Sequence, residues 1–394
     1  MMRSILALVL VGVTALPAAA TQNVLDEMLS VLAGSHTEGR AVDTDLDEAA
    51  DEIARVLGMF DLDVFEQEFE GPGGHRLRNL LGIVQGTDPE AGWIVVGAHY
   101  DHLGRGEPGT PNHGTVHPGA DDNASGCAVL ASVYEQWEPT ERGVIFAWFT
   151  AEETGLLGSE HFVANPPEGV DEIVAMVNLD TVGRLADGGL TVFGVESAPA
   201  FEPALRGIDT AFGLELETVA RSSGTADDMA FAERAIPTLH LFTGAHATYH
   251  RPGDTLEKLD RAGLATLVDF TYELVDYLAR PDADLQFVPA GAQEALADPE
   301  RATEGRRRVS LGTIPDFQGG DGGVELTGVL PDSPAAEAGL QEGDVIVGFG
   351  GAPVDDLTDY SEALKRYEPG DTVEVEFLRD GDRRSVTVTL VARR

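Results

Sequence analysis

Trp93-Ile94-Val95-Val96-Gly97-Ala98-His99-Tyr100-Asp101-His102 is the stretch whose reading decides the fold. Four apolar residues in a row predict a central strand covered on both faces. Gly97 and Ala98 thin the chain, and an imidazole and a carboxylate follow at the strand's carboxyl end. His99 and Asp101, two positions apart, share one side if the backbone stays extended. The carboxyl edge of the strands is where open α/β sheets place their sites. Such a pair needs partners from elsewhere in the chain.

Upstream, Leu46, Ala49, Ala50, Ile53, Val56 and Leu57 recur at helical spacing, with acids on the other side. Asp61 to Glu70 alternates like a strand, Gly71-Pro72-Gly73-Gly74 marks a turn, and Leu77 to Gln85 is the next strand. Downstream, strands are expected at Val144–Phe149, Glu172–Leu179 and Ile236–Phe242. Helices are expected at Asn123–Trp137, Ala198–Phe212, Ala226–Arg234 and Thr255–Ala279, with a short one contained in Glu153–Ala164. Strands alternating with helices predict an α/β fold, a mostly parallel mixed sheet covered by helices on both faces.

The flanks differ in character. Arg3, the apolar run from Ile5 to Leu16, Pro17 and Ala18-Ala19-Ala20 read as a signal peptide over 1–20, cleaved after Ala20. The run is shorter than the roughly 20 residues a membrane helix needs, and no later stretch is long and apolar enough to span. Export, to the periplasm or the medium, is the expectation. Residues 21–280 then form one domain. Residues 281–306, with Pro281, Pro289 and Pro299 among Ala, Asp, Glu and Arg, read as a linker with a short helix at Gln293–Ala297. Residues 307–394 return to short alternating strands, a small β-rich domain.

The 394 residues carry a formal net charge of −42, which argues against nucleic acid and anionic membrane surfaces as partners. The single cysteine, Cys127, lies on the apolar side of a helix in Ser125-Gly126-Cys127-Ala128-Val129-Leu130 and reads as core, not nucleophile. Disulfides therefore contribute nothing within the chain.

Acids and histidines gather at element boundaries: Gly119-Ala120-Asp121-Asp122-Asn123, Thr150-Ala151-Glu152-Glu153-Thr154-Gly155, Asn178-Leu179-Asp180, Asp227-Asp228, and Tyr249-His250-Arg251-Pro252-Gly253-Asp254-Thr255. Each alone has a bland reading, as a helix cap or a favourable first-turn charge. Together, His99, Asp121, Glu153, Asp180 and His250 supply two histidines and three carboxylates without cysteine, a set suited to a pair of zinc ions.

These stretches resemble the co-catalytic di-zinc aminopeptidases of the secreted bacterial type, in a wider family that also holds glutamate carboxypeptidases and glutaminyl cyclases. The likeness runs from roughly residue 75 to 255. It rests on the strand-end His-x-Asp, Asp-Asp-Asn, Glu-Glu-x-Gly, Asn-x-Asp, and Tyr-His before Arg-Pro-x-Asp-Thr. It implies the zinc-peptidase fold and two Zn2+ ions per chain. His99 and Asp180 would hold one ion, Glu153 and His250 the other, with Asp121 bridging and Asp122 in a peptide that is often cis in the family. It further implies Glu152 as general base, Asp101 orienting His99, and Tyr249 as a donor to the developing oxyanion. Asp228 stands where relatives carry a histidine, and Asp227 and Asp228 stay unassigned. The implied function is an exported zinc exopeptidase acting on peptides, an aminopeptidase first. A carboxypeptidase or dipeptidase of the family, or a non-catalytic peptide-binding protein on the same fold, is the alternative.

The carboxyl-terminal residues 307–394 resemble a bacterial PDZ domain through Leu311-Gly312-Thr313-Ile314-Pro315-Asp316-Phe317, Ser333-Pro334-Ala335-Ala336-Glu337-Ala338-Gly339-Leu340 and Gly343-Asp344-Val345-Ile346. The resemblance implies that a peptide C-terminus or a partner segment adds as a strand, its carboxylate in the Leu311-Gly312 loop.

Overall fold

Eight strands build the main sheet: β1 (Phe65–Glu70), β2 (Arg76–Val84), β3 (Trp93–His99), β4 (Gly143–Phe149), β5 (Ile173–Leu179), β6 (Thr191–Phe193), β7 (Glu217–Val219) and β8 (Thr238–Phe242). The structure, a computed structural model, describes residues 18–34, 37–42, 46–106, 112–214, 216–289, 309–315, 322–329, 333–341, 343–355, 357–379 and 381–392. The spatial order is β1-β2-β4-β3-β5-β8-β6-β7. The central four, β4-β3-β5-β8, run parallel. β2 and β6 join antiparallel at either side.

The helices are α1 (Ala18–Leu32), α2 (Leu46–Met59), α3 (Gly126–Glu135), α4 (Leu157–Ala164), α5 (Leu185–Gly188), α6 (Phe201–Phe212), α7 (Asp228–Ala232) and α8 (Arg261–Leu278). The strand alternation sorts the core into two layers. Ile94, Val96 and Ala98 of β3, with Val144, Phe146 and Trp148 of β4, pack with α1, α2, α3, α6 and α8. Trp93 and Val95, with Ile145, Ala147 and Phe149, pack on the other face with Phe162 of α4 and Phe231 of α7. The apolar runs are thus buried on both sides, as expected of central parallel strands.

The long helix expected over Thr255–Ala279 is split. A single turn at Leu256–Lys258 precedes α8, whose Asp260 carboxylate accepts the Gly263 N–H at 2.9 Å. An aspartate at that N-cap satisfies a donor that the helix itself leaves open. The expected linker also starts late. Arg142 donates to the carbonyls of Leu278 and Ala283 at 2.7 and 3.2 Å, Val288 N–H donates to the Ser197 carbonyl at 2.9 Å, and Ala283 and Leu285 are buried. Residues 281–288 therefore stay on the first body. The expected helix at Gln293–Ala297 and the expected leader up to Pro17 lie outside the described residues.

A second sheet, with its own core of Leu311, Leu326, Ile346, Phe349, Leu364, Val375 and Phe377, occupies the carboxyl-terminal part. Its long hairpin pairs Thr372–Arg379 with Asp382–Thr389. Arg379 grips Asp344 through two bonds of 2.6 and 2.7 Å, a fork-to-carboxylate pair.

Cys127 is fully buried in α3, and its thiol donates to the His99 carbonyl at 3.1 Å. Burial pushes it up to about 12, and only the thiolate is nucleophilic. An alkylating reagent is therefore expected to leave the native chain unlabelled and to label it after unfolding, read by mass spectrometry.

Candidate metal centre

The ends of β3, β4 and β5 and the turn before α3 meet at one edge of the sheet. Arg40 fastens that meeting point. Its fully buried guanidinium donates to the carbonyls of Tyr100 at 2.7 Å, Leu32 at 2.5 Å, Pro118 at 2.6 Å, Gly119 at 3.0 Å and Asp122 at 3.5 Å. It ties α1 to the loop after β3 and to the turn at 118–122. Arg40→Ala is expected to cost more than about 3 kcal/mol of stability, since each orphaned buried carbonyl costs about 1–3 kcal/mol. Urea unfolding followed by circular dichroism checks this.

His99 ends β3 fully buried. Its Nε2 lies 3.3 Å from Asp122 Oδ1 and 3.4 Å from Asp180 Oδ1, at the end of β5. His250 Nε2 lies 2.9 Å from Asp122 Oδ2 and 3.3 Å from Glu153 Oε1. Asp122 thus presents one carboxylate oxygen to each of two donor sets.

Here the expected ligand set is corrected. Asp121 does not bridge. Its Oδ1 accepts the Gly183 N–H at 2.6 Å and the Ser125 hydroxyl at 3.1 Å, and its Oδ2 lies 3.1 Å from His246 Nε2. Neighbouring residues in non-helical backbone aim their side chains apart. Asp122 (φ −106°, ψ 94°) and Asn123 (φ −132°, ψ 41°) are such positions. Asp254 accepts the N–H groups of both Asp121 and Asp122, at 2.9 and 3.1 Å, and so holds the turn in register. The cis peptide joins Asp122 to Asn123, so Asp122 does sit in a cis peptide, as the resemblance implies. Asn123 in turn donates to the Leu179 carbonyl at 2.8 Å, fastening the turn to the end of β5.

The Asp101 carboxylate, expected to orient His99, lies closer to the Glu152-Glu153 turn. It accepts the N–H groups of Glu152 and Glu153 at 2.9 and 3.1 Å, and lies 3.7 Å from His99 Nδ1, which is nearer the Asp101 carbonyl at 3.2 Å. Asp101 therefore sets the Glu152-Glu153 turn against β3. Ala151 before it adopts φ 57°, and the two glutamates diverge.

Glu152 is 7 % exposed. Burial raises its carboxyl well above the usual range, against the pull of His99 and with the push of Glu153 and Asp180. For Glu153, burial is outweighed by His250 and His102, which hold the carboxyl below its usual range. Two adjacent glutamates thus have opposite protonation preferences, the pattern expected of a proton carrier beside an ion holder. The Tyr249 ring stacks on His250 at 4.0 Å. Burial, with the charges of Asp122, Glu153, Asp180 and Glu152, raises its phenol well above 10, so it stays a donor.

Two histidines enter that the sequence left open. His102, placed in the loop after β3, puts Nδ1 2.9 Å from Glu153 Oε1 and 3.7 Å from Asp122 Oδ2. His246 backs Asp121. The clue to His102 was its place three residues after His99, in the loop that follows β3. Asp227 and Asp228 are buried beside the centre; burial pushes Asp227 up to about 7 and raises Asp228, which accepts the Ser222 hydroxyl at 2.5 Å.

The donors fit zinc. Zinc takes imidazole nitrogen and carboxylate oxygen at about 2.0–2.2 Å, so tetrahedral donors stand about 3.4 Å apart. The separations of 3.3 and 3.4 Å around His99 Nε2 match that edge, and those around His250 Nε2 are 2.9 and 3.3 Å. The buried Asp122 Oδ2 faces two imidazole nitrogens, His250 Nε2 at 2.9 Å and His102 Nδ1 at 3.7 Å. Among the described residues, two groups of three donors can each surround an ion: His99, Asp122 and Asp180, and His102, Asp122 and Glu153.

The sequence profile of the family described as Peptidase family M28 matches residues 79–275, and that of the PDZ domain matches residues 309–390. An aminopeptidase of Pseudomonas aeruginosa (strain UCBPP-PA14) is 33% identical over 167 residues, covering 39% of this chain and 28% of that protein. A probable leucine aminopeptidase of Arthroderma otae is 30% identical over 218 residues, covering 50% of this chain and 57% of that protein. The chain thus spans well under two thirds of either relative's length. A zinc aminopeptidase from Bacillus subtilis, BSAP, superposes with a TM-score of 0.57 at 16% identity, over 68% of this chain and 97% of that one. This likeness shows a shared fold.

Proposed function

The chain belongs to peptidase family M28 and carries a carboxyl-terminal PDZ domain, and from the arrangement of its donors we propose an exported aminopeptidase that works with two zinc ions. The observation that carries this reading is Asp122, with Oδ1 3.3 Å from His99 Nε2 and Oδ2 2.9 Å from His250 Nε2. One carboxylate facing two donor sets is the arrangement that would let a single residue join a pair of ions. Zinc held there would supply Lewis-acid polarisation of a peptide carbonyl and acidify water beside it.

The chain's own residues do the rest. Glu152 takes a proton from the water whose oxygen attacks the carbonyl carbon. It returns that proton to the nitrogen as the C–N bond breaks. The Tyr249 phenol, kept protonated, donates to the oxygen on which charge develops. Asp101 keeps Glu152 and Glu153 in their separate stations. The surrounding carboxylates favour a substrate with a free ammonium group, and hence the amino end of a peptide.

The PDZ domain is proposed to take a peptide C-terminus or a partner segment. Its Gly312, at φ 76°, packs against Ser333 so closely that a β-carbon there would lie 2.2 Å from the Ser333 Cβ. Arg3, the apolar run to Leu16 and Ala18-Ala19-Ala20 support export, and a mature chain beginning at Thr21 is the form that mass spectrometry should find.

The test is turnover of amino-acid anilides by the zinc-loaded full chain, against the same anilides with a blocked amine. Cleavage of free-amine substrates alone supports an aminopeptidase. Cleavage of only the blocked ones overturns it.

A further inference from the structure

His102 stands closer to the second donor set than a loop residue need. Its ring is buried, its N–H donates to the Arg40 carbonyl at 3.0 Å, and a β-carbon at Gly119 would lie 2.6 Å from its Cδ2. The backbone tie and the missing side chain at Gly119 together fix the ring. Nδ1 then faces two oxygens at once, Glu153 Oε1 at 2.9 Å and Asp122 Oδ2 at 3.7 Å. These are the same two oxygens that face His250 Nε2. The rings of His102 and His250 meet edge-on, their centroids 5.7 Å apart, so their nitrogens approach the oxygens from different directions. Four of the six separations among these four atoms, 2.9, 3.7, 2.9 and 3.3 Å, scatter about the edge of roughly 3.4 Å that zinc's donors would span.

We propose that His102 is a fourth protein ligand of the second metal position, alongside Asp122, Glu153 and His250. The inference rests on the two-metal reading above. It makes the two positions unequal. The first, with His99, Asp122 and Asp180, offers three protein donors and keeps room for water or a substrate oxygen. The second is filled by protein. A closed set of four is the habit of ions held for structure, an open set of three that of ions used in chemistry. The second position should therefore fill first and empty last.

The rival explanation is that Nδ1 carries a proton and only donates to Glu153. His102→Asn separates the two, because the asparagine amide puts an N–H near the place of Nδ1 but offers no nitrogen lone pair. The metal-free full chain is titrated with Co2+, following visible absorption and competition with a chelator. The unmutated chain should bind two ions in sequence. Both His102→Asn and His102→Ala should weaken the tighter one by more than about 100-fold, beyond the 10–100-fold expected when an outer hydrogen-bond partner is lost, with a changed cobalt spectrum. Wild-type affinity and an unchanged spectrum in His102→Asn would overturn the assignment and leave a positioning role.

A second measurement needs no variant. In the cadmium-113-loaded chain with nitrogen-15 histidine, three imidazole nitrogens should couple to cadmium, one of them His102 Nδ1. Coupling at only His99 and His250 sinks the proposal while sparing the two-metal reading. An unmutated chain that binds no ion defeats both.

Discussion

Glu152→Gln is expected to lower kcat by about 10²–10⁴-fold, the usual worth of a positioned acid–base group, while bound zinc stays unchanged. Glutamine keeps the shape and the backbone bond to Asp101 but cannot accept the proton of the attacking water. Burial raises the Glu152 carboxyl and the neighbouring carboxylates raise it further, which brings it toward the working range of a base that must also return its proton. Glu153→Gln should behave in the opposite way. Its Oε1 sits among His250 Nε2 and His102 Nδ1, so the loss should show first in metal content and only through that in turnover. Side-by-side metal analysis and steady-state kinetics on the two variants read both. Near-normal turnover in Glu152→Gln removes the base from the mechanism.

The second large effect separates two neighbours. Asp122→Ala is expected to release both ions and abolish turnover, because its two oxygens serve both donor sets. Asp121→Ala should keep both ions. That carboxylate accepts the Gly183 N–H and the Ser125 hydroxyl, so its removal leaves a buried donor unmatched, at a cost of about 1–3 kcal/mol in stability. Zinc analysis after dialysis, with thermal unfolding of both variants, tells the cases apart. Loss of zinc in Asp121→Ala with retention in Asp122→Ala would restore the pairing implied by the sequence resemblance.

The difference between those two aspartates marks where reading the sequence stops. The strand ends were legible because β3, β4 and β5 are unbroken apolar runs, which only a doubly covered sheet accommodates. His99, Glu153 and Asp180 follow from those ends, and His250 came from the Tyr-His before Arg-Pro-x-Asp-Thr. The choice between Asp121 and Asp122 does not, because composition says nothing about which of two adjacent acids a non-helical turn aims inward. That aim is set by Asp254, 132 residues beyond Asp122. His102 and His246 were visible as residues but not as neighbours of the centre, since loop path decides both. The strands β6 and β7 at one end of the sheet, three residues each, are too short to show a period. The break before α8 was written in Asp260, an aspartate three residues ahead of the Gly263 N–H it caps, but the apolar spacing on both sides masked it.

The account stands or falls on Asp122 joining two metal positions, and the zinc content of the unmutated full chain tests this most directly. After loading with excess zinc and dialysis against metal-free buffer, two ions per chain are predicted. One ion or none would contradict it.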